Sequence, residues 1–145
     1  NPRRKARETA LQILYKFDVS IDGTLAGDYS KEMDTLTPGT EAHRYCESIV
    51  AGVMARVAEL DRIIEESSDR WKIERMPVVD RNVLRLAAYE LVFCPETPFK
   101  VVIDEAVELA KRFGAEDSGA FINGILDRVR KEEPSRAATQ HVNEK

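Results

Sequence analysis

Apolar residues recur along this chain at intervals of three and four, the period of a helix with one buried face, and nowhere sustain the period-two alternation of a strand. Ala6, Ala10, Ile13, Leu14 and Phe17 form the first stripe and predict a helix from about Pro2 to Val19, with Pro2 suited to its first turn. A looser stretch follows, with room for a short helix around Asp28 to Leu36. Tyr45, Ile49, Val53, Val57, Leu60 and Ile64 then hold one register, which predicts a single long helix from near Thr40 to Ser67-Ser68. Trp71 to Met76 reads as a connector or short helix. Pro77 opens a helix carrying Val79, Val83, Leu86, Ala87 and Leu91, which stops before the turn bracketed by Pro95 and Pro98. Val102, Ala106, Leu109, Ala110 and Phe113 make the next face, and Phe121, Ile122, Ile125, Leu126 and Val129 the last. The predicted fold is an all-α helical bundle. Beyond Arg130 the chain has little to bury, which predicts a body over residues 1–130 and a mobile tail over 131–145.

The junction between the last two helices, Gly114-Ala-Glu-Asp-Ser-Gly-Ala-Phe-Ile-Asn-Gly124, stops one helix and starts another while leaving an acid and an aromatic at the joint. Gly114 fits a left-handed helix stop. Asp117 or Ser118 can accept from the free backbone N–H groups of the helix that follows. Phe113 and Phe121 flank this joint, where either an exposed ring or a core ring fits the pattern.

On the first helix, Arg4, Glu8, Leu11 and Tyr15 fall within about 40° of one another, roughly opposite the core stripe, and Arg7 borders them. Guanidinium forks match phosphate oxygens and an exposed ring can stack on a base, so this second face suits RNA. It equally allows Leu11 and Tyr15 to bury against another helix.

Charge sharpens that choice. The chain of 145 residues carries a net charge of −4, yet its first twenty residues hold five basic against two acidic side chains. A basic end on an acidic body points to a local phosphate-binding edge rather than a uniformly cationic surface. With 43% apolar residues the chain can bury the core of one domain. Cys46 and Cys94 are far apart within helical patterns and imply neither a disulfide nor a zinc site. No apolar run approaches a membrane span and no leader pattern is visible, so the cytoplasm is expected. Enzyme chemistry has little to stand on. His43 and His141 lack companions at metal-ligand or triad spacing, and Gly114 to Gly119 is followed by Ala120 and Phe121 where a phosphate-binding loop needs Lys and Ser/Thr. The expectation is a protein that is not an enzyme and uses no cofactor or metal.

Lys100-Val-Val-Ile-Asp-Glu-Ala-Val-Glu-Leu-Ala-Lys-Arg-Phe-Gly-Ala-Glu-Asp-Ser118, followed by Phe121-Ile-Asn-Gly-Ile-Leu-Asp127, closely resembles the signature of the NusB family of bacterial transcription antitermination factors. Arg3-Arg-Lys-Ala-Arg-Glu8 leading to Leu14-Tyr15 is similar to that family's arginine-rich first helix, and Val83-Leu-Arg-Leu-Ala-Ala-Tyr-Glu-Leu91 to its central helix. The resemblance covers most of the chain to about Arg130, leaving residues 23–42 and the tail unmatched. It implies about seven helices in two packed subdomains and a factor that binds boxA RNA of ribosomal RNA operon transcripts with the small-subunit ribosomal protein NusE. NusA, NusG and RNA polymerase would join the larger complex. By position it carries RNA contact onto Arg3, Arg4, Arg7, Tyr15, Glu74, Arg85, Asp117 and Phe121. Contact with NusE falls on Asp80, where the family usually has a glutamate. Lys5 stands where an arginine is common and Ala120 where relatives carry a basic residue. The rival expectation is a regulatory homodimer whose arginine face is occluded or has lost RNA binding.

Overall fold

The computed structural model describes residues 2–20 and 28–132. Seven α-helices lie among them: α1 (Pro2–Asp18), α2 (Ser30–Met33), α3 (Glu41–Ala55), α4 (Val57–Ser67), α5 (Val78–Phe93), α6 (Phe99–Phe113) and α7 (Ser118–Glu132). A single 3-10 turn, Ile73–Arg75, links α4 to α5, and no strand occurs among the described residues. The all-α expectation therefore holds. The expected mobility of the tail falls outside the described residues from 133 onward, as does the part of the 22–39 stretch before Asp28.

The sequence of α5 accounts for the architecture. Leu84, Leu86, Ala87, Ala88, Leu91 and Val92 are buried on several sides of the helix rather than along one stripe, which is the pattern of a helix enclosed by others. It packs against α1, α3, α4, α6 and α7. Around it, α1 to α3 form one group and α4 to α7 the other, and a single continuous core joins the two. α1 and α3 approach on one side, α6 and α7 pair closely on the other, and the buried Ile13, Ile49, Leu60, Ile64, Leu84, Ile122 and Leu126 interlock between them. Gly52 on α3 lets the α5 ring of Tyr89 lie against the helix backbone, for a Cβ there would stand 2.1 Å from the ring. Cys46 is a free buried thiol pushed up to about 12 by burial, consistent with a small core residue.

Two boundaries differ from the periodicity. The long helix expected from Thr40 to Ser67 is broken at Arg56, whose φ of −129° and ψ of 23° divide α3 from α4. Neither proline nor glycine stands at the break. Its cause is tertiary: α3 packs on α1, whereas α4 packs on α7, and one straight rod cannot face both. The Arg56 guanidinium lies 4.2 Å over the Phe93 ring and ties the break to the end of α5.

The second difference concerns Gly114. Its backbone is extended, with φ −101° and ψ −165°, not left-handed. Glycine is required there for space, since a Cβ would lie 2.7 Å from Ser118 Oγ and 2.8 Å from the Ala110 carbonyl oxygen. Besides Gly39 (φ 84°), the positive-φ residues among those described are Asp69 (φ 56°) and Arg70 (φ 65°) just after α4, where the Arg70 N–H closes on the Glu65 carbonyl at 3.0 Å. Two non-glycine residues held this way cost about 1 kcal/mol or more each. They turn the chain so that Trp71 projects outward. No helix among the described residues is long and apolar enough to cross a membrane.

Candidate nucleic-acid interface

The arginines of α1 have three different surroundings. Arg7, expected on the RNA face, lies inside the protein with 3% exposure, and its Nε and Nη2 donate to the two carboxylate oxygens of Glu90 on α5, both at 2.9 Å. Tyr45 on α3 donates its hydroxyl to the same Glu90, and Glu105 on α6 stands 4.0 Å from Arg7. The reason is angular: bordering the polar face places Arg7 toward α5, and a buried carboxylate is there to receive it. Leu11 is buried as well, so the inward alternative holds for it, while Tyr15 remains 42% exposed.

Arg4 and Arg3 reach the surface. The Arg4 fork grips Glu105 at 3.0 and 2.7 Å with the Arg4 side chain still half exposed. Arg3 donates to Glu41 at 2.9 Å and lies 4.2 Å over the Tyr45 ring. Arg3–Glu41 is open to water on both sides, where such bridges contribute little and exchange easily, whereas Arg4 is an exposed guanidinium on a Glu105 carboxylate that is itself mostly buried and also faces Arg7. A phosphate can therefore compete for these two guanidinium groups, whereas Arg7 is committed to the fold.

Arg85 is likewise engaged. Its Nε and Nη2 donate to Asp61 at 2.8 and 3.0 Å, and Nη1 donates to Asp18 at 3.0 Å. Asp18, at the end of α1, also receives Arg81 at 2.6 and 2.7 Å and the Asn82 amide at 2.8 Å. Burial disfavours the Asp18 anion, but the Arg81 and Asn82 hydrogen bonds and the two arginine charges outweigh it and hold its carboxyl below the usual range. This clamp joins α1, α4 and α5. Glu74 is exposed on the 3-10 turn, and its backbone carbonyl accepts from Arg81 at 3.4 Å.

At the joint, Asp117 is exposed and Phe121 is half buried on the first turn of α7. Of Asp117 and Ser118, the two residues expected to cap α7, Ser118 is turned to other partners. Its hydroxyl accepts the Ala115 N–H at 2.9 Å and donates to Asp80 at 2.8 Å, so the joint is moored to α5. Asp80, expected to meet a protein partner, is only 4% exposed. Burial, assisted by the Asp117 charge and opposed by the Ser118 hydrogen bond, raises its carboxyl above the ordinary aspartate range.

The first turns of α7 separate two grooves. Arg4, Glu105, Glu108, Lys111, Ala120 and Asn123 line one, so the exposed end of the arginine helix and the joint share a surface. Phe121, Gly124, Arg128 and Trp71 line the other. Trp71 meets the Phe121 ring edge to face at 6.3 Å while remaining 54% exposed. Periodicity passed over Trp71 because it belongs to no stripe. The available signal was composition, since the chain's one tryptophan stands in the polar run Ser67-Ser-Asp-Arg-Trp-Lys72. An exposed ring set against a half-buried one, beside cations and an acid, can stack unpaired bases and accept from an exocyclic amine.

The model of the NusB family matches residues 4–131. Over 128 residues the chain is 47% identical to the transcription antitermination protein NusB of Desulforudis audaxviator (strain MP104C), covering 88% of this chain and 91% of that protein. It is 48% identical to the protein of the same name from Sorangium cellulosum (strain So ce56), covering 88% and 90%. Among solved structures, T. maritima NusB superposes with a TM-score of 0.81 at 34% identity, covering 97% of this chain and 98% of that one. A crystal structure of antitermination factors NusB and NusE in complex with dsRNA contains a chain matching at a TM-score of 0.77 and 30% identity, covering 90% and 96%.

Removing Arg7 leaves Glu90 buried and uncompensated, so Arg7→Ala is expected to lose about 3–5 kcal/mol of stability in chemical denaturation. A loss of RNA affinity with unchanged stability would contradict the placement. For Asp80 the sign follows from its raised pKa: the folded state favours the protonated acid, so ionisation at neutral pH is destabilising and this cost disappears as pH falls below the ordinary carboxylate range. Asp80→Asn keeps an acceptor for Ser118 and should melt above the parent at neutral pH, with the gap closing near about pH 3. Asp18 is common to both proteins and cancels in the difference. A gap independent of pH would show that the Asp80 charge is not the cause.

Proposed function

The chain belongs to the NusB family, and from that membership we propose that it is a transcription antitermination factor, binding boxA-type RNA of ribosomal RNA operon transcripts together with NusE. The observation that carries this reading is the joint of α6 and α7, where the exposed Trp71 ring meets the half-buried Phe121 one turn after Asp117 and where the Arg4 groove begins. Rings at an edge, with acceptors and exchangeable guanidinium groups nearby, suit a strand whose bases are unstacked more than a closed duplex.

In this reading Arg3 and Arg4 release Glu41 and Glu105 to phosphate, Tyr15 extends the contact along α1, and Phe121 and Trp71 receive bases. Asp117 and Glu74 supply acceptors. Arg7 and Arg85 act from within, as positioning residues that hold α1 and α5 in register. Asp80 contributes to NusE binding through Ser118 and the shape of the joint rather than by offering its own carboxylate. The protein is then an adaptor of the bacterial cytoplasm that performs no catalytic step. NusA, NusG and RNA polymerase complete the assembly, with the RNA and NusE held on this chain.

Fluorescence anisotropy of a labelled boxA-type RNA against a scrambled control tests the reading, first with this protein alone and then with NusE added. Preferential binding that tightens with NusE is expected. Phe121→Ala and Trp71→Ala should each weaken it by about 1–3 kcal/mol with folding intact. Absence of boxA preference from folded protein, with NusE present, would overturn the function.

A further inference from the structure

Most arginines of this protein are already occupied. Arg4, Arg7, Arg81, Arg85, Arg112 and Arg128 each meet a carboxylate of another element. Around Trp71 the situation reverses. Arg70, Lys72 and Arg75 are all exposed, and none has a carboxylate within ion-pair distance among the described residues. Three of the acids nearby are engaged elsewhere: Glu65 accepts the Ile73 N–H at 2.7 Å, Glu66 faces Arg62 at 3.3 Å and Asp69 receives Arg128 at 2.9 Å, while the exposed Glu74 makes no ion pair with these cations. The left-handed Asp69 and Arg70 turn the chain sharply at the end of α4, where the Arg70 N–H and the Ile73 N–H both return to Glu65.

These cations continue the aromatic groove. The hollow between Phe121 and Trp71 shares Asp69 and Trp71 with a second hollow that includes Arg70, Lys72 and Arg75, and this shares Arg70 and Lys72 with a third reaching Arg62 on α4. One surface thus runs from the α6–α7 joint past an exposed indole onto three cations with no ion-pair partner among the described residues, and ends beside Arg62, Glu65 and Glu66. Exposed cations beyond a stacking ring, without buried polar groups to read base edges, match a strand followed by its backbone rather than its sequence.

We propose that this arc is a second, sequence-independent RNA contact, which takes the single-stranded segment flanking the boxA-type element after it leaves Phe121. The proposal rests on the reading of the joint as the RNA site. The arc lengthens the bound strand through phosphate contacts at Arg70, Lys72 and Arg75, while Trp71 is the point where the strand passes from the first contact to the second. Such a contact would make affinity depend on the length of RNA flanking the element, whatever that flank's sequence.

The test compares a boxA-type RNA with versions carrying an unstructured single-stranded extension at either end, titrated over a range of salt concentrations with the protein and NusE. The extension at one end should tighten binding by about tenfold or more and steepen the dependence of log K on log salt by about 2 units, as three phosphate contacts on a single strand require. In Arg70→Ala/Lys72→Ala/Arg75→Ala that gain should vanish while the unextended RNA binds as before. Lys72→Glu alone, an exposed single change, should reduce the gain and guards against misfolding of the triple variant. Binding of the unextended RNA with no gain from either extension, or a gain that survives in both variants, overturns the arc and leaves the joint standing. Loss of the unextended RNA's binding in the parent protein overturns the joint itself and the arc with it.

Discussion

The Arg7–Glu90 pair is the constraint on which the arrangement turns. Two opposite charges are held almost entirely out of water, and each is acceptable there only because the other is present in fork geometry. Buried pairs of this kind add little net stability over well-packed apolar residues, but they punish any arrangement that separates them. Glu90 fixes the rotation of α5, Arg7 that of α1, and the Tyr45 hydroxyl brings α3 to the same point. With α1 so fixed, Arg3 and Arg4 one turn earlier must emerge beside Glu41 and Glu105 at the surface. One interior contact therefore decides which arginines reach the surface and which stay inside.

The other end of the site is set by a similar device of smaller scale. Asp80 on the first turn of α5 takes the Ser118 hydroxyl, Ser118 takes the Ala115 N–H, and Gly114 has no side chain to obstruct either. The start of α7 is thereby registered against α5, and Phe121 one turn later is directed toward Trp71. Both halves of the proposed RNA edge thus refer back to the same central helix, through ionic or polar contacts whose partners are specified one to one. Apolar packing alone would tolerate rotation of α1 or sliding of α7 at modest cost.

Helix faces were legible because burial imposes a period: the stripes on α1, α5, α6 and α7 turn inward except at the joint, where Phe113 is exposed and Phe121 half buried, and Pro77 stands directly before the helix it opens. What periodicity could not supply was direction around a helix relative to neighbours not yet placed. Arg7 looked like part of a phosphate face because its distance from the core stripe is visible in sequence, whereas Glu90, 83 positions away, is not. The break at Arg56 escaped for the same reason, as its cause is the separate demands of α1 and α7. Gly114 showed the correct residue with the wrong conformation, since lack of space and positive φ both call for glycine. Trp71 was left out because an isolated exposed aromatic belongs to no period. Among the residues that family resemblance carried over, it is the burial of Arg7 and Asp80 and the engagement of Arg85 with Asp61 and Asp18 that divide contact from support.

The central claim is that RNA is met by an aromatic edge standing on an arginine framework, with the framework itself out of reach. Nitrogen-15 NMR of the labelled protein, titrated with unlabelled boxA-type RNA, tests it in one experiment. The chain has a single tryptophan, so one indole N–H signal reports Trp71. That signal and the Phe121 amide should shift progressively with RNA, while the Arg7 side-chain Nε–H stays where Glu90 holds it. A spectrum in which Arg7 responds and Trp71 and Phe121 do not would contradict the account.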